Sequence, residues 1–338
     1  MSVLSRLTKK ASSYGFDGFL LGIAIAILLA YIFPSVGAKE SPIPLAEIAN
    51  FCVSLIFFFY GLKLSPKKLK EGLANWKLHV LVHASTFILF PLLVILLHKI
   101  IPSFQSDVFW TGLFYLAALP STVSSSVVMV SIARGNMPAA IFNASISSLL
   151  GVFITPIWME FWMSEKATND FDLSSVIIKL LIQVVVPVLL GLLLHRKYAW
   201  FAEKYNKRLK QFDQSIILLI IFTAFCESFS ENVFALIGVK DLLQLLLSTV
   251  ALFFLVLELT NLLSKLLGFN SEDRITLIFC GSKKSLVHGT VMSKILFPTS
   301  DQMGLILLPL MIYHTAQLII ASIIANKFAG DSTKNIAP

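Results

Sequence analysis

The chain is predicted to be an all-α polytopic membrane protein with ten transmembrane helices, arranged as two five-span halves inserted in opposite senses. Three observations predict this. Its 338 residues are 57% hydrophobic and 14% charged, with a mean hydropathy of +0.83, outside the range of soluble domains. The apolar residues gather into ten runs of about twenty, the length that spans a bilayer. The fourth and ninth runs are each interrupted in the middle by small, polar or charged residues.

The runs lie near 16–34, 45–62, 78–98, 108–132, 138–162, 173–194, 213–230, 242–264, 274–297 and 303–326. Residues 1–14 are polar and basic. The first run lacks a small-residue cleavage pattern and reads as an uncleaved span, with Asp17 at its start, where a carboxylate meets a favourable helix dipole. After span two, a basic amphipathic link should lie on the inner surface. Nineteen of the 27 Lys and Arg fall on the side of both termini, in the two terminal segments and the loops after spans two, four, six and eight. Lys39, Lys99, Lys166, Lys240 and Lys294 fall on the other. Cytoplasmic loops carry the excess of positive charge, so both termini are expected in the cytoplasm, with the chain in a bacterial inner (plasma) membrane. The net charge of +8 is spread over short loops, which suits lipid headgroups rather than nucleic acid. Lys179 can snorkel to the outer interface. Cys52, Cys226 and Cys280 have neither metal-like nor disulfide-framework spacing.

Span nine reads ITLIFCGSKKSLVHGTVMSKILF over residues 275–297. Gly281, Ser282, Lys283, Lys284 and Ser285 break it, and His288 and Gly289 follow one turn on. A lysine at membrane depth costs about 2.5–3.5 kcal/mol on insertion scales. The pair is therefore predicted to lie in a discontinuous helix lining a polar cavity, where irregular backbone survives at that depth. The alternative puts both ammonium groups in the inner water layer as a helix-end anchor. Span four carries Pro120, then Ser121, Thr122, Ser124, Ser125 and Ser126. Proline removes a backbone donor and hydroxyls can satisfy freed carbonyls, so this span too should kink or break; a small-residue packing face is the other reading.

In span five, Asn143, Ser147 and Gly151 share a face by four-residue spacing. Span three holds His83 and Thr86 ahead of Pro91, and span ten holds Tyr313, His314 and Gln317. Glu258 in span eight is an intramembrane acid that should have a partner, with Lys283 or Lys284 the natural one. Divided at 1–164 and 165–338, each half has an odd number of spans and a broken fourth member. An inverted repeat with discontinuous helices in matching places points to a secondary-transporter site.

The segments LPSTVSSSVVMVSIARGNMPAAIFNASISSLLGVFITP and CGSKKSLVHG resemble the bile acid:sodium symporter family. Within it they are similar to an orphan branch with a VSS motif in span four and a GS-x-KS motif in span nine. The likeness covers nearly the whole chain. It implies a core domain, a panel domain, and crossing of the unwound spans four and nine beside the binding site. In the bile-acid branch two sodium ions drive uptake of an organic anion. Ser125-Ser126 stands where that branch has Ser-Asn. Its span-nine pattern falls on Phe279, Cys280, Gly281, Ser282, Lys283 and Lys284, without the sodium-binding glutamate and with ammonium groups in place of amides. The family's span-three glutamine has no counterpart beyond His83 and Thr86. Ser125, Ser126, Asn143 and Ser147 mark the remnant of the sodium region.

The leading expectation is a secondary transporter of a small organic anion. Its candidate substrate and coupling residues are His83, Ser124, Ser125, Ser126, Asn143, Glu258, Gly281, Ser282, Lys283, Lys284, Ser285 and His314. A lysine repels sodium, so one of the pair is expected to stand in for the coupling cation, either binding the anion or exchanging a proton with Glu258. The coupling ion is then Na+ or H+. No cofactor, catalytic residue or required protein partner is indicated. Two other classes are a non-transporting membrane regulator and an intramembrane hydrolase with a Ser-Lys pair, its nucleophile Ser125 or Ser285.

Overall fold

A computed structural model of the chain describes residues 18–38, 40–65, 75–102, 106–164, 172–297 and 300–334. The N-terminal polar segment, Asp17 and the basic link at 66–74 lie outside them. The described residues form helices and no strand. In order these are α1 (Gly18–Ile32), α2 (Leu45–Lys63), α3 (Trp76–Ile100), α4 (Asp107–Ala118), α5 (Ser124–Ile132) and α6 (Met137–Ser164). There follow α7 (Leu173–Lys204), α8 (Asn206–Ser230), α9 (Val239–Leu266), α10 (Ser271–Gly281), α11 (Leu286–Leu296) and α12 (Met303–Lys334).

Seven of them, α2, α3, α6, α7, α8, α9 and α12, are long and apolar enough to cross a membrane. The chain is thus an all-helical membrane protein. α1 is apolar but 15 residues long. The interrupted runs are two pairs of short helices, α4–α5 and α10–α11, each pair joined by a few extended or turn residues.

Helix starts follow from capping chemistry. Asn75, Asp172, Asn270 and Ser285 each accept a hydrogen bond from a backbone N–H in the following turn, satisfying donors that the helix itself leaves orphaned. The tight link between α5 and α6 turns on Arg134 at φ 62°. Beside it Asp273 accepts from Asn75 Nδ2 at 2.6 Å and Asn136 Nδ2 at 2.8 Å, which pins the starts of α3, α6 and α10 together.

Two packing groups emerge. α2 lies along α7, and α8 packs on α1 and α2; α4 packs on α3, α6 and α12, and α10 on α3, α5, α6 and α9. Large apolar side chains such as Leu21, Phe51, Leu193 and Leu247 are exposed. In water that surface would be a liability; in a bilayer it is the solvent-matched face. The interior instead holds polar groups, among them Thr86, Ser121, Asn143, Ser147, Thr155, Gln317 and both lysines of the second break.

Candidate functional site

The two breaks meet, and their backbone groups are satisfied by each other and by side chains of α6 and α12. α4 ends at Ala118, and Pro120 has no N–H to continue it, so the last carbonyls of α4 need outside donors. Ala118 O accepts from Thr155 Oγ1 at 2.8 Å, and Pro120 O from the Ser285 N–H at 3.0 Å. Ser121 donates its N–H to Ser147 Oγ at 2.9 Å and its hydroxyl to Cys280 O, at the end of α10, at 2.7 Å. In the second break Ser282 O accepts from the Tyr313 hydroxyl. Gln317 clamps Lys284 twice, accepting from its N–H at 2.9 Å and donating to its carbonyl at 2.8 Å. Gly151 leaves room for the crossing: a Cβ there would come within 2.7 Å of the Pro120 ring.

The remaining two carbonyls at the end of α4 go to Lys284. Its Nζ donates to Ala117 O at 2.6 Å, Leu119 O at 2.8 Å and Thr86 O at 2.7 Å, so all three ammonium hydrogens are spent. The Phe90 ring lies 4.1 Å away, within range of cation–π attraction. Thr86 O is free for a local reason. α3 makes a π-helical turn over Ser85–Leu89, so the Phe90 N–H goes to Ser85 O. The residue that would serve Thr86 O in that register is Pro91, which has no N–H. A cation at the C-terminal end of α4 also meets the negative end of its dipole. Lys284 therefore occupies a tight carbonyl cage, as a small metal cation would.

Lys283 differs. It too is fully buried, but among the described residues its Nζ donates only to Ser125 O, at 3.0 Å. Ser125 lines a cavity of about 390 Å³ between the two packing groups, with Phe19 of α1, Lys210 and Asp213 of α8, Leu286 and Val287 of α11, and His314 of α12. The N-terminal ends of α5 and α11 both open on it. His314 Nδ1 accepts from Gln317 Nε2 at 2.9 Å, which assigns its proton to Nε2 as a donor. Among the described residues the hydroxyls of Ser125 and Ser126 have no hydrogen-bond partner.

Several expectations need correction. Neither lysine is a water-layer anchor, since both are 0% exposed, and neither lines the cavity directly. Glu258 does not pair with them: it is exposed on α9 and accepts from Asn261 Nδ2 at 3.3 Å, and the lysines are satisfied by carbonyls rather than carboxylates. His83 stays apart from the crossing, its ring stacked on Phe87 at 6.4 Å with neither nitrogen hydrogen-bonded. Asn143 turns to His79 Nδ1 at 3.1 Å and to Ala139 O at 2.9 Å, leaving Ser147 and Gly151 of that face on the break. A Ser-Lys nucleophile pair is not formed. Lys283 and Lys284 donate to backbone oxygens, and Ser285 Oγ, 2.9 Å from His288 Nδ1, is the cap of α11. Of the remaining site residues, Ser124 lines the cavity, Gly281 ends α10, and Ser282 Oγ donates to Ile278 O at 2.6 Å.

Gln317 is the site residue that sequence reasoning noted without assigning a task. Replacing it by leucine strips both partners from the Lys284 peptide in a buried setting, where each orphan costs about 1–3 kcal/mol. Gln317→Leu is expected to lower the unfolding free energy by about 2–4 kcal/mol, read from thermal or denaturant unfolding in detergent. A change within about 0.5 kcal/mol, the range of an ordinary surface substitution, would remove the clamp from the account.

An all-helical membrane protein whose polar interior is built on two crossing, broken helices has the build of a membrane carrier. Residues 17–330 match the model of the SBF-like CPA transporter family, and the chain belongs to that family. It is 36% identical over 316 residues, 92% of each chain, to YfeH, a candidate symporter of Escherichia coli (strain K12). It is 37% identical over 313 residues, 93% of each chain, to an uncharacterized protein of Pseudomonas aeruginosa. With sodium/bile acid cotransporter 7-B of Xenopus laevis it shares 31% identity over 331 residues, 96% of this chain and 93% of that one. The chain is accordingly a transporter of the bile acid:sodium symporter family and not an enzyme.

Proposed function

We propose that this chain is a secondary transporter of a small organic anion in which the Lys284 ammonium takes the place of a coupling sodium ion. The observation that carries the reading is the cage of three backbone carbonyls at 2.6–2.8 Å around Lys284 Nζ. Two of those oxygens come from the first break and the third from α3, and a metal ion there would meet a fixed positive charge. The neighbouring hydroxyls of Ser125 and Ser126 are neutral. With sodium displaced, the proton is the ion that remains for coupling. The anion belongs in the cavity of about 390 Å³, where two helix N-termini, the His314 Nε2–H and the nearby Lys283 favour negative charge.

In this reading α1, the pairs α4–α5 and α10–α11, and the seven long helices make ten spans. They form inverted halves at 1–164 and 165–338. α1, α2, α7 and α8 act as a panel rocking against the other helices, and both termini lie in the cytoplasm of a bacterial inner membrane. The test uses the labelled carboxylate that most stabilises the purified chain in a thermal screen. Its uptake into proteoliposomes is expected to be unchanged when sodium is replaced by choline at constant pH. Uptake that rises with sodium would reject the substitution of lysine for sodium.

A further inference from the structure

At the opposite end of α11 from the cavity just described lies a second cavity of about 190 Å³, lined by Asn50, Lys179, Gln183, Lys294 and Ile295. Chain direction separates the two. The first cavity is lined near the start of α8, the end of α12 and the start of α11; Lys294 lies near the end of α11. A slightly larger neighbouring space of about 220 Å³ shares Asn50 and Lys294 and touches Glu227 near the end of α8.

Lys294 Nζ is enclosed and, among the described residues, has no hydrogen-bond partner. An ammonium group can donate three hydrogen bonds, and one taken out of water without them loses its hydration for no return. The lining among the described residues includes a second lysine, Lys179, two carboxamides and no carboxylate. Gln183 is held in place, its Nε2 donating to Asn50 O at 3.0 Å and its own carbonyl accepting from Ser54 Oγ at 3.4 Å. Two cations thus face one small space whose own lining, among the described residues, brings no carboxylate, the nearest one named, Glu227, lying on the adjoining space.

We propose that Lys294, with Lys179, forms an oxyanion-binding site for a carboxylate or phosphate group at the end of the bundle opposite the main cavity. This goes beyond the transport reading and does not rest on it: the site would bind an anion even in a chain that carried nothing. In the orientation proposed above, with both termini in the cytoplasm, the site stands at the outward mouth of the transporter and would gather anions there.

The test is thermal unfolding of the full chain in detergent free of anionic lipid, titrated with inorganic phosphate and with acetate against chloride at matched ionic strength. Wild type is expected to show a saturable rise in Tm. Lys294→Met is expected to lose that rise and to melt above wild type in chloride, because the unpaired charge is gone. Should Lys294→Met fail to fold, Lys179→Gln is expected to raise the half-saturating anion concentration about tenfold. His314→Ala, in the other cavity, is expected to keep the response. Stabilisation by phosphatidylglycerol alone, lost in Lys294→Met, would identify a lipid headgroup as the source of the phosphate and still support the site. A response unchanged in Lys294→Met, a response lost in His314→Ala instead, or no response in wild type to any of these anions would overturn it. Failure of carboxylate uptake with this response intact would count against the transport reading alone.

Discussion

Lys284→Met is expected to cost about 3–5 kcal/mol of unfolding free energy, the range seen when one member of a buried polar or charged set is removed. Methionine keeps most of the apolar stem and ends one atom short of the ammonium position, so packing against Phe90 survives in part. The oxygens of Thr86, Ala117 and Leu119 lose their donor. Those carbonyls cannot find partners within their own helices, because the π-helical turn with Pro91 and the end of α4 at Ala118 have already removed the intrahelical donors. A vacated cage of inward-facing carbonyls is suited to a hard cation. The variant should therefore become sodium-sensitive where wild type is not: sodium at 100 times its Kd would return about 2.7 kcal/mol. Thermal unfolding of both proteins in sodium and in choline reads this out. Equal sodium stabilisation of the two would show that the ammonium does not occupy a cation site, whatever the loss of stability.

The breaks were legible because membrane depth makes unusual residues expensive. Two lysines beside a glycine and a proline followed by serines have few places to go in hydrocarbon, and the structure puts both interruptions where the sequence put them, at 119–123 and 282–285. The rotation of the helices was not legible. In α9 residues 250–257 are all apolar, so periodicity there does not say which side meets protein, and Glu258 falls on the outside while Leu257 and Thr260 are buried. The division of labour between adjacent lysines was hidden for a related reason: it depends on which side chain reaches the end of α4. One signal was available and not used. Thr86 was noted only as lying ahead of Pro91 and near the place of the family's span-three glutamine, and its hydroxyl donates within its own helix to Val82 O at 2.8 Å. Its importance lies in its carbonyl, freed by Pro91 five residues on. Gln317, one turn from Tyr313 and His314, could have been found by the same question of which donor serves a broken backbone.

Gly61→Ala and Gly191→Ala are expected to destabilise the chain by about 3 kcal/mol each, at the upper end of overpacking costs, through one shared clash. α2 and α7 run so close that a Cβ on Gly61 would overlap the Val188 carbonyl and lie within 2.8 Å of its carbon. One on Gly191 would overlap the Phe58 carbonyl and approach Leu62 N to 2.7 Å. Neither obstacle is the tip of a flexible side chain. Both are helix backbone, so the added methyl can be housed only by moving the helices apart, with loss of packing along the whole pair. Once they have separated, the second methyl meets little further resistance, and the double variant should cost much less than the sum of the singles. Gly18→Ala is the control, since a Cβ there meets nothing within 4 Å and alanine favours the helix. Unfolding in detergent separates the outcomes. If Gly61→Ala melts with Gly18→Ala, or if the two interface substitutions simply add, α2 and α7 are not locked by backbone contact. The pair could then not turn as one rigid body against the helices that hold the crossing.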